Sequence, residues 1–403
     1  MTHYDTSNAL PAGGEGGTWA GRAWLPASTA ANGIAGPRVI SVRDGEVYDL
    51  GDSFPTFSGL VNSDDPAGGI RAALARGARR IGSVAELLTN SLHYNRAARL
   101  AHESKPVLLA PNDLLATKAC GVTFIKSLLE RVVEEKARGD AETAAQVRRI
   151  ILESLGEDLS QVKPGSPETV ELKKRLIAEG VWSQYLEVGI GPDAEVFTKA
   201  QPMASVGYGA QVGILPRSNW NNPEPEIVLA ISCRGEIVGA TLGNDVNLRD
   251  FEGRSALLLG EAKDQNGSCA IGPMVRFFDG SFRLEDVENC EVSLRITGED
   301  GVTTGGANRM AEISRSPREL AAQAIGKHHQ YPDGLVLFLG TMFAPTTDRD
   351  APGQGFTHHI GDCVEISTPQ LGTLVNWVNH TDKIPKWDYG IGDMIQFLMQ
   401  SRS

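Results

Sequence analysis

Basic residues are in the minority in this 403-residue chain. Lys and Arg number 38 against 50 Asp and Glu, which leaves a formal charge of −12 at pH 7. That excess of acid argues against nucleic acid or an anionic membrane surface as the main partner. No run of 18 apolar residues occurs and mean hydropathy is −0.18, so no membrane span is expected. Cysteines are few: 120, 233, 269, 290 and 363, with no C-x-x-C pair. An odd, scattered set is neither a disulfide framework nor a zinc ribbon, and it fits free thiols in a reducing cytoplasm. Residues 1–19 hold no basic stretch followed by an apolar one, so no secretion signal is read. A Walker-type phosphate loop is missing. Gly207–Gly213 nearly spells G-x-G-x-x-G, but it neither follows a clear strand nor opens a helix, so it reads as a loop.

What the chain does have is length and glycine. At this length it can bury a sizeable core in about two domains. Of the 45 glycines, only seven fall between 86 and 200. That segment is helical in texture: Ile125, Leu128, Leu129, Val132 and Val133 recur at helical spacing. Val147, Ile150, Ile151 and Leu155 mark a second helix starting near Asp140. Ser166-Pro167 opens a third, and Gly180 closes it. Before this segment, Arg38–Val42 and Glu46–Leu50 flank an Asp44-Gly45 turn, a helix is expected over 65–76, and 106–111 is a short apolar strand. After it the chain is β-rich. Strands are expected at 227–232 and 236–241 around Arg234-Gly235, then near 273–278, 290–297, 335–339, 363–368 and 372–378. The fold class is therefore α+β. A smaller N-terminal α+β domain is expected over 1–110 and a β-rich domain over 111–403, with a helical insert at about 125–180.

The chemistry concentrates between Trp220 and Pro273. Glu224 and Glu226 stand two apart at the mouth of an apolar strand, so their side chains share a face. Asp245 ends the next strand of the same hairpin. Three carboxylates repel one another unless a cation intervenes. An all-oxygen set suits Mg²⁺, Mn²⁺ or Ca²⁺ better than Zn²⁺.

The same stretch resembles the fumarylacetoacetate hydrolase family. The matching features are the E-x-E pair Glu224/Glu226, Asp245 within Asn244–Asp250, and Lys263 ahead of Gly272-Pro273. Phe197-Thr198-Lys199, Gly340-Thr341, Gly361-Asp362-Cys363-Val364 and Leu371–Asn376 match further family motifs in order. The resemblance implies a β-rich catalytic domain built as a mixed β roll or barrel. It also implies a Mg²⁺ site (Mn²⁺ possible) at which a 2-oxo acid is bound through its carboxylate and keto oxygens, making its C3 protons acidic. Hydrolytic members carry a lid helix in which His and Glu activate water. In the matching segment Gly121–Glu130, Ser127 replaces the His while Glu130 is kept. This disfavours C–C hydrolysis and leaves Glu130 as the expected proton-transfer group.

A narrower branch, the 2-keto-3-deoxy sugar acid dehydratases, is similar over Trp182–Gly191, Ala240–Leu259, His328–Gly334 and Gly355–His358. That resemblance implies loss of water from a 2-keto-3-deoxy-D-pentonate (xylonate or arabinonate) to give 2-oxoglutarate semialdehyde in pentose oxidation. Expected roles are proton transfer by Glu130 and enolate stabilisation by Lys263. Expected substrate contacts are Lys199, Arg249, Thr341, His329 and Tyr331. The alternatives are a hydrolase or decarboxylase of acylpyruvate-type acids with the same metal site, and a non-catalytic metal- or sugar-acid-binding protein. The family further implies a cytoplasmic homodimer or homotetramer. His358 and His359 sit with His328 and His329 in no helical metal-binding spacing and read as structural.

Overall fold

A computed structural model describes residues 4–11, 16–96, 104–124, 128–129, 131–133, 136, 146–147, 149–151, 153, 163–345, 347–350 and 355–401. The expected Ile125, Ser127, Glu130 and Leu155, and the helix start near Asp140, lie outside the described residues.

Two sheets organise the chain. The larger is 11-stranded, and its N-terminal strands are β1 (Thr18–Leu25), β2 (Gly36–Arg43), β3 (Glu46–Asp49), β4 (Arg79–Ser83) and β5 (Val107–Leu109). It continues through β6 (Ala116–Gly121), β7 (Glu195–Ala200), β10 (Pro225–Ile231), β11 (Ile237–Asp245), β13 (Cys269–Phe277) and β16 (Leu335–Phe338). The smaller sheet has five strands: β8 (Gln211–Ile214), β14 (Glu291–Thr297), β15 (Thr303–Arg309), β17 (Cys363–Thr368) and β18 (Gly372–His380). A short two-stranded ladder joins β9 (Asn221–Asn222) to β12 (Asn247–Leu248).

Local sequence explains much of this. Asp44 (φ 53°) and Gly45 (φ 74°) form a two-residue turn between β2 and β3, in the left-handed region that suits the right-handed twist of a hairpin. Strand β14 alternates buried Val292, Leu294 and Ile296 with outward Glu291, Arg295 and Thr297, because only one of its faces meets the core. Strand β10 is buried throughout. Ile227, Leu229 and Ile231 join the main core shared by both sheets, while Val228 and Ala230 enter two other clusters on the opposite face. Burial of both faces requires the uninterrupted apolar run.

The segment expected as an N-terminal domain shares this sheet. Strand β1 pairs with β13 from Thr18↔Phe277 to Ala20↔Val275. The helices Phe57–Val61 and Pro66–Ala75 pack into a cluster that includes Ala230, Val275 and Phe277. The described strands before residue 110 and the later strands are thus joined by one hydrogen-bonded sheet and by two shared hydrophobic clusters.

The helical segment between β6 and β7 has its own cluster, in which Leu128, Leu129, Val132, Val133, Val147 and Ile151 meet Leu176, Leu186 and Ile190. Its helix Pro167–Ala178 starts where Ser166 accepts from Thr169 N, with proline at the first helical position. Helix Gln184–Ile190 is capped by Ser183 in the same way.

Candidate metal centre and active site

The β10/β11 hairpin builds the centre. Its register pairs Pro225 with Asn244 and Glu226 with Gly243, and Asp245 N donates to Glu224 O at 3.0 Å. Glu224 and Glu226 therefore lie on one face with Asp245 opposite. Oxygens of all three come within 4.8 Å of one another, and the residues are 3%, 1% and 1% exposed.

Each carboxylate is held differently. Glu226 Oε2 accepts from Gly340 N at 2.7 Å, while its Oε1 is buried without a partner. Gly340 follows β16 at φ +96°, and a Cβ there would lie 2.1 Å from Thr123 Oγ1, so the turn that presents this N–H requires glycine. Burial, then the charges of Asp245 and Glu224, push the Glu226 carboxyl well above its ordinary range. Asp245 lies between two ammonium groups, Lys199 Nζ at 2.9 Å and Lys263 Nζ at 3.1 Å. Glu224 accepts from Lys263, from Arg131 at 3.0 Å and from Asn247 at 3.0 Å. Asn247 reaches it because the β9/β12 ladder extends the hairpin beyond the carboxylates.

Lys263 ends the helix Leu259–Lys263. Burial alone would lower its pKa, but Asp245, Glu224 and Glu252 outweigh that and hold it charged. A small cavity beside Glu224 is also lined by Arg131, Glu195, Glu252, Lys263 and Thr341. Glu252 is driven up by burial, yet Arg131 and Lys263 prevail and keep it down at about 2. Glu195 goes the other way. Burial and the Glu252 charge raise it to about 7, only partly countered by Arg131 and Lys263.

The expected site residues divide. Glu224, Glu226, Asp245, Lys263 and Thr341 come together. Lys199 does not face the cavity: it is fully buried, and its ammonium also donates to the carbonyls of Val246 and Lys263. It braces Asp245 and the helix end that carries Lys263, which corrects its reading as a substrate contact. Arg249 stacks on the Trp220 ring at 4.3 Å and is not among the cavity-lining residues. His329 is exposed and Tyr331 half-buried, in the loop that enters β16. Because Leu335 pairs with Ile231, five residues along β10 from Glu226, that loop lies at the far end of the strand. At ~3.3 Å per residue the separation is roughly 16 Å, so these two are not brought to the centre within this chain. His358 is buried, with Nδ1 3.0 Å from Asp362, which also pairs with Arg349.

Four residues of the centre were not singled out from sequence: Arg131, Glu195, Asn247 and Glu252. Glu195 had a legible signal. It stands two residues before Phe197, on the same face of β7, and both line the cavity.

Residues 189–379 match the sequence model of the fumarylacetoacetate (FAA) hydrolase C-terminal region. This part of the chain is a fumarylacetoacetate hydrolase family domain. Glu195, the three triad carboxylates and Lys263 all fall within it, whereas Arg131 lies before it. One relative, the probable 2-keto-3-deoxyxylonate dehydratase of Haloferax volcanii, is 36% identical over 194 residues, 48% of this chain. That match spans 63% of the Haloferax protein's own length. The 2-dehydro-3-deoxy-D-arabinonate dehydratase of Saccharolobus solfataricus is 27% identical over 273 residues, covering 64% of this chain and 88% of its own. In fold, the chain resembles a solved 2-keto-3-deoxy-D-arabinonate dehydratase complexed with magnesium and 2,5-dioxopentanoate. The TM-score is 0.57 at 18% identity, over 90% of this chain and 99% of that one. The likeness in fold thus extends well beyond the matched residues. Among the described residues, no helix is long and apolar enough to cross a membrane.

Proposed function

We propose that this protein is a Mg²⁺-dependent dehydratase that removes water from a 2-keto-3-deoxy-D-pentonate to give 2-oxoglutarate semialdehyde. The observation that carries the reading is the buried triad Glu224, Glu226 and Asp245, whose Glu224 lines a small cavity together with the charged Lys263 and with Glu195, a carboxyl raised to about 7. The names of the two relatives support the substrate class.

The residues fit a hard divalent cation. The donors are all oxygen, and the unpartnered Glu226 Oε1 is a buried acceptor awaiting a positive charge. An ion held there would supply electrophilic polarisation of the substrate's C2 carbonyl. Lys263, fixed by Glu224 and Asp245, offers positive charge to the enolate oxygen that develops when C3 loses a proton. Glu195, poised near neutrality, suits removal of that proton and its return to the departing C4 hydroxyl. Thr341 lines the cavity as a hydroxyl contact for the sugar acid. Lys199 holds Asp245 in place from below. The free cysteines fit a cytoplasmic setting.

The test is incubation with 2-keto-3-deoxy-D-pentonate and Mg²⁺, coupled to a semialdehyde dehydrogenase. Semialdehyde formation is expected. Release of pyruvate, with no five-carbon product, would overturn the reading.

A further inference from the structure

Arg131 comes from the helical segment, outside the matched domain, yet its guanidinium ends at the carboxylate centre. The side chain is 13% exposed. Nη2 donates to Glu224 Oε1 at 3.0 Å, and Nη1 lies 2.9 Å from Glu252 Oε2. The Tyr185 ring is 5.9 Å from the guanidinium carbon. Glu224 therefore carries two cations, Arg131 and Lys263, together with the Asn247 amide.

This arrangement cannot stay unchanged when a divalent ion binds the triad. The ion needs a Glu224 oxygen, and it repels a guanidinium sharing that carboxylate. Glu252 is not a member of the triad and stays available to Arg131 on the other edge. A guanidinium released on one edge and anchored on the other presents N–H groups to the cavity that Lys263 and Thr341 also line. Its planar fork matches a carboxylate.

We propose that Arg131 exchanges partners, holding Glu224 in the ion-free centre and, once an ion occupies Glu224, turning that edge to the carboxylate of the incoming 2-oxo acid while Glu252 keeps it anchored. The exchange rests on the reading of the centre as a 2-oxo acid site. It separates Arg131 from a purely structural arginine. If Arg131 merely supported Glu224, its removal would weaken ion binding. If it is a resident cation that the ion displaces, its removal leaves ion affinity unchanged or raised and weakens binding of the anion.

The experiment is calorimetry on the wild-type protein, Arg131→Gln and Arg131→Lys. Mn²⁺ is titrated first; pyruvate, the simplest 2-oxo acid, is then titrated into the Mn²⁺-saturated protein. Arg131→Gln is expected to bind Mn²⁺ at least as tightly as wild type and pyruvate about tenfold or more weakly, in line with loss of a charge-assisted contact. Arg131→Lys, which keeps the charge and loses the fork, is expected to fall between; if Arg131→Gln does not fold, this variant decides the matter. Weakened Mn²⁺ binding, or unchanged pyruvate affinity, overturns the exchange. Wild-type protein that takes up no Mn²⁺ overturns the reading of the centre itself, and the exchange with it.

Discussion

Lys199 Nζ lies 2.9 Å from Asp245 Oδ1, and neither side chain is more than 1% exposed. An ammonium sealed beneath a triad carboxylate fixes that carboxylate and offsets part of its charge. Removing one partner of such a pair leaves the other buried and uncompensated. Lys199→Met is therefore expected to destabilise the fold by about 3–5 kcal/mol, measured by urea unfolding, and to weaken Mg²⁺ binding. A loss below 1 kcal/mol would contradict the bracing role.

Glu226→Gln separates ion binding from folding. The amide oxygen can still accept from Gly340 N, and it adds no charge to a site that already disfavours one. Mg²⁺ affinity is expected to fall about 100-fold or more, while the ion-free melting temperature holds or rises. Calorimetry and thermal melts measure both. In the wild type, saturating Mg²⁺ should raise the melting temperature through binding to the native state alone. The variant should lose that rise.

Gly340→Ala strikes the same carboxylate from the backbone. At φ +96°, with Thr123 Oγ1 2.1 Å from the new Cβ, alanine cannot keep the turn. A cost of about 2 kcal/mol or more is expected from the strained conformation. Chemical denaturation would show it, and Mg²⁺ affinity would fall in parallel because Glu226 loses its N–H partner.

Glu195 gives stability a pH dependence of defined sign. Its carboxyl rises from 4.5 in an unstructured chain to about 7 in the fold. The native state then binds more protons than the unfolded one between these values. Its contribution is complete below pH 4.5 and is lost as the pH rises through about 7. Glu195→Gln should flatten this part of the stability–pH curve, seen as a smaller fall in melting temperature from pH 5 to pH 8. The same variant should lose dehydratase turnover while still binding Mg²⁺.

Much of the candidate metal centre was legible because it is built locally. Strand alternation places Glu224 beside Glu226, and a tight hairpin returns Asp245 to them, so spacing alone carried the geometry. Ser166-Pro167 and Asp44-Gly45 were equally readable, since caps and two-residue turns depend on the conformational limits of single residues. Lys199 was placed at the centre but on the wrong side of Asp245, because a motif does not show which residue lies deepest. His329 and Tyr331 matched a dehydratase pattern, yet the antiparallel pairing of β16 with β10 puts their loop at the other end of the strand.

By itself, then, the sequence determined the triad, its preference for a hard cation, the α+β class and the local turns and caps. These follow from side-chain chemistry and from periods of 2 and 3.6 residues. Only the tertiary structure decided what surrounds the triad. Arg131, Glu195, Asn247, Glu252 and Lys263 come from five separate segments, and four of these look like ordinary polar surface in their own stretch of chain. Packing sheltered them from water, Asn247 and Lys263 fully and the others in part, and set them against one another. Desolvation and mutual charge then drive Glu195 up and Glu252 down, and hold Arg131 on Glu224. Such fields depend on distances through space, which no local pattern in the chain encodes.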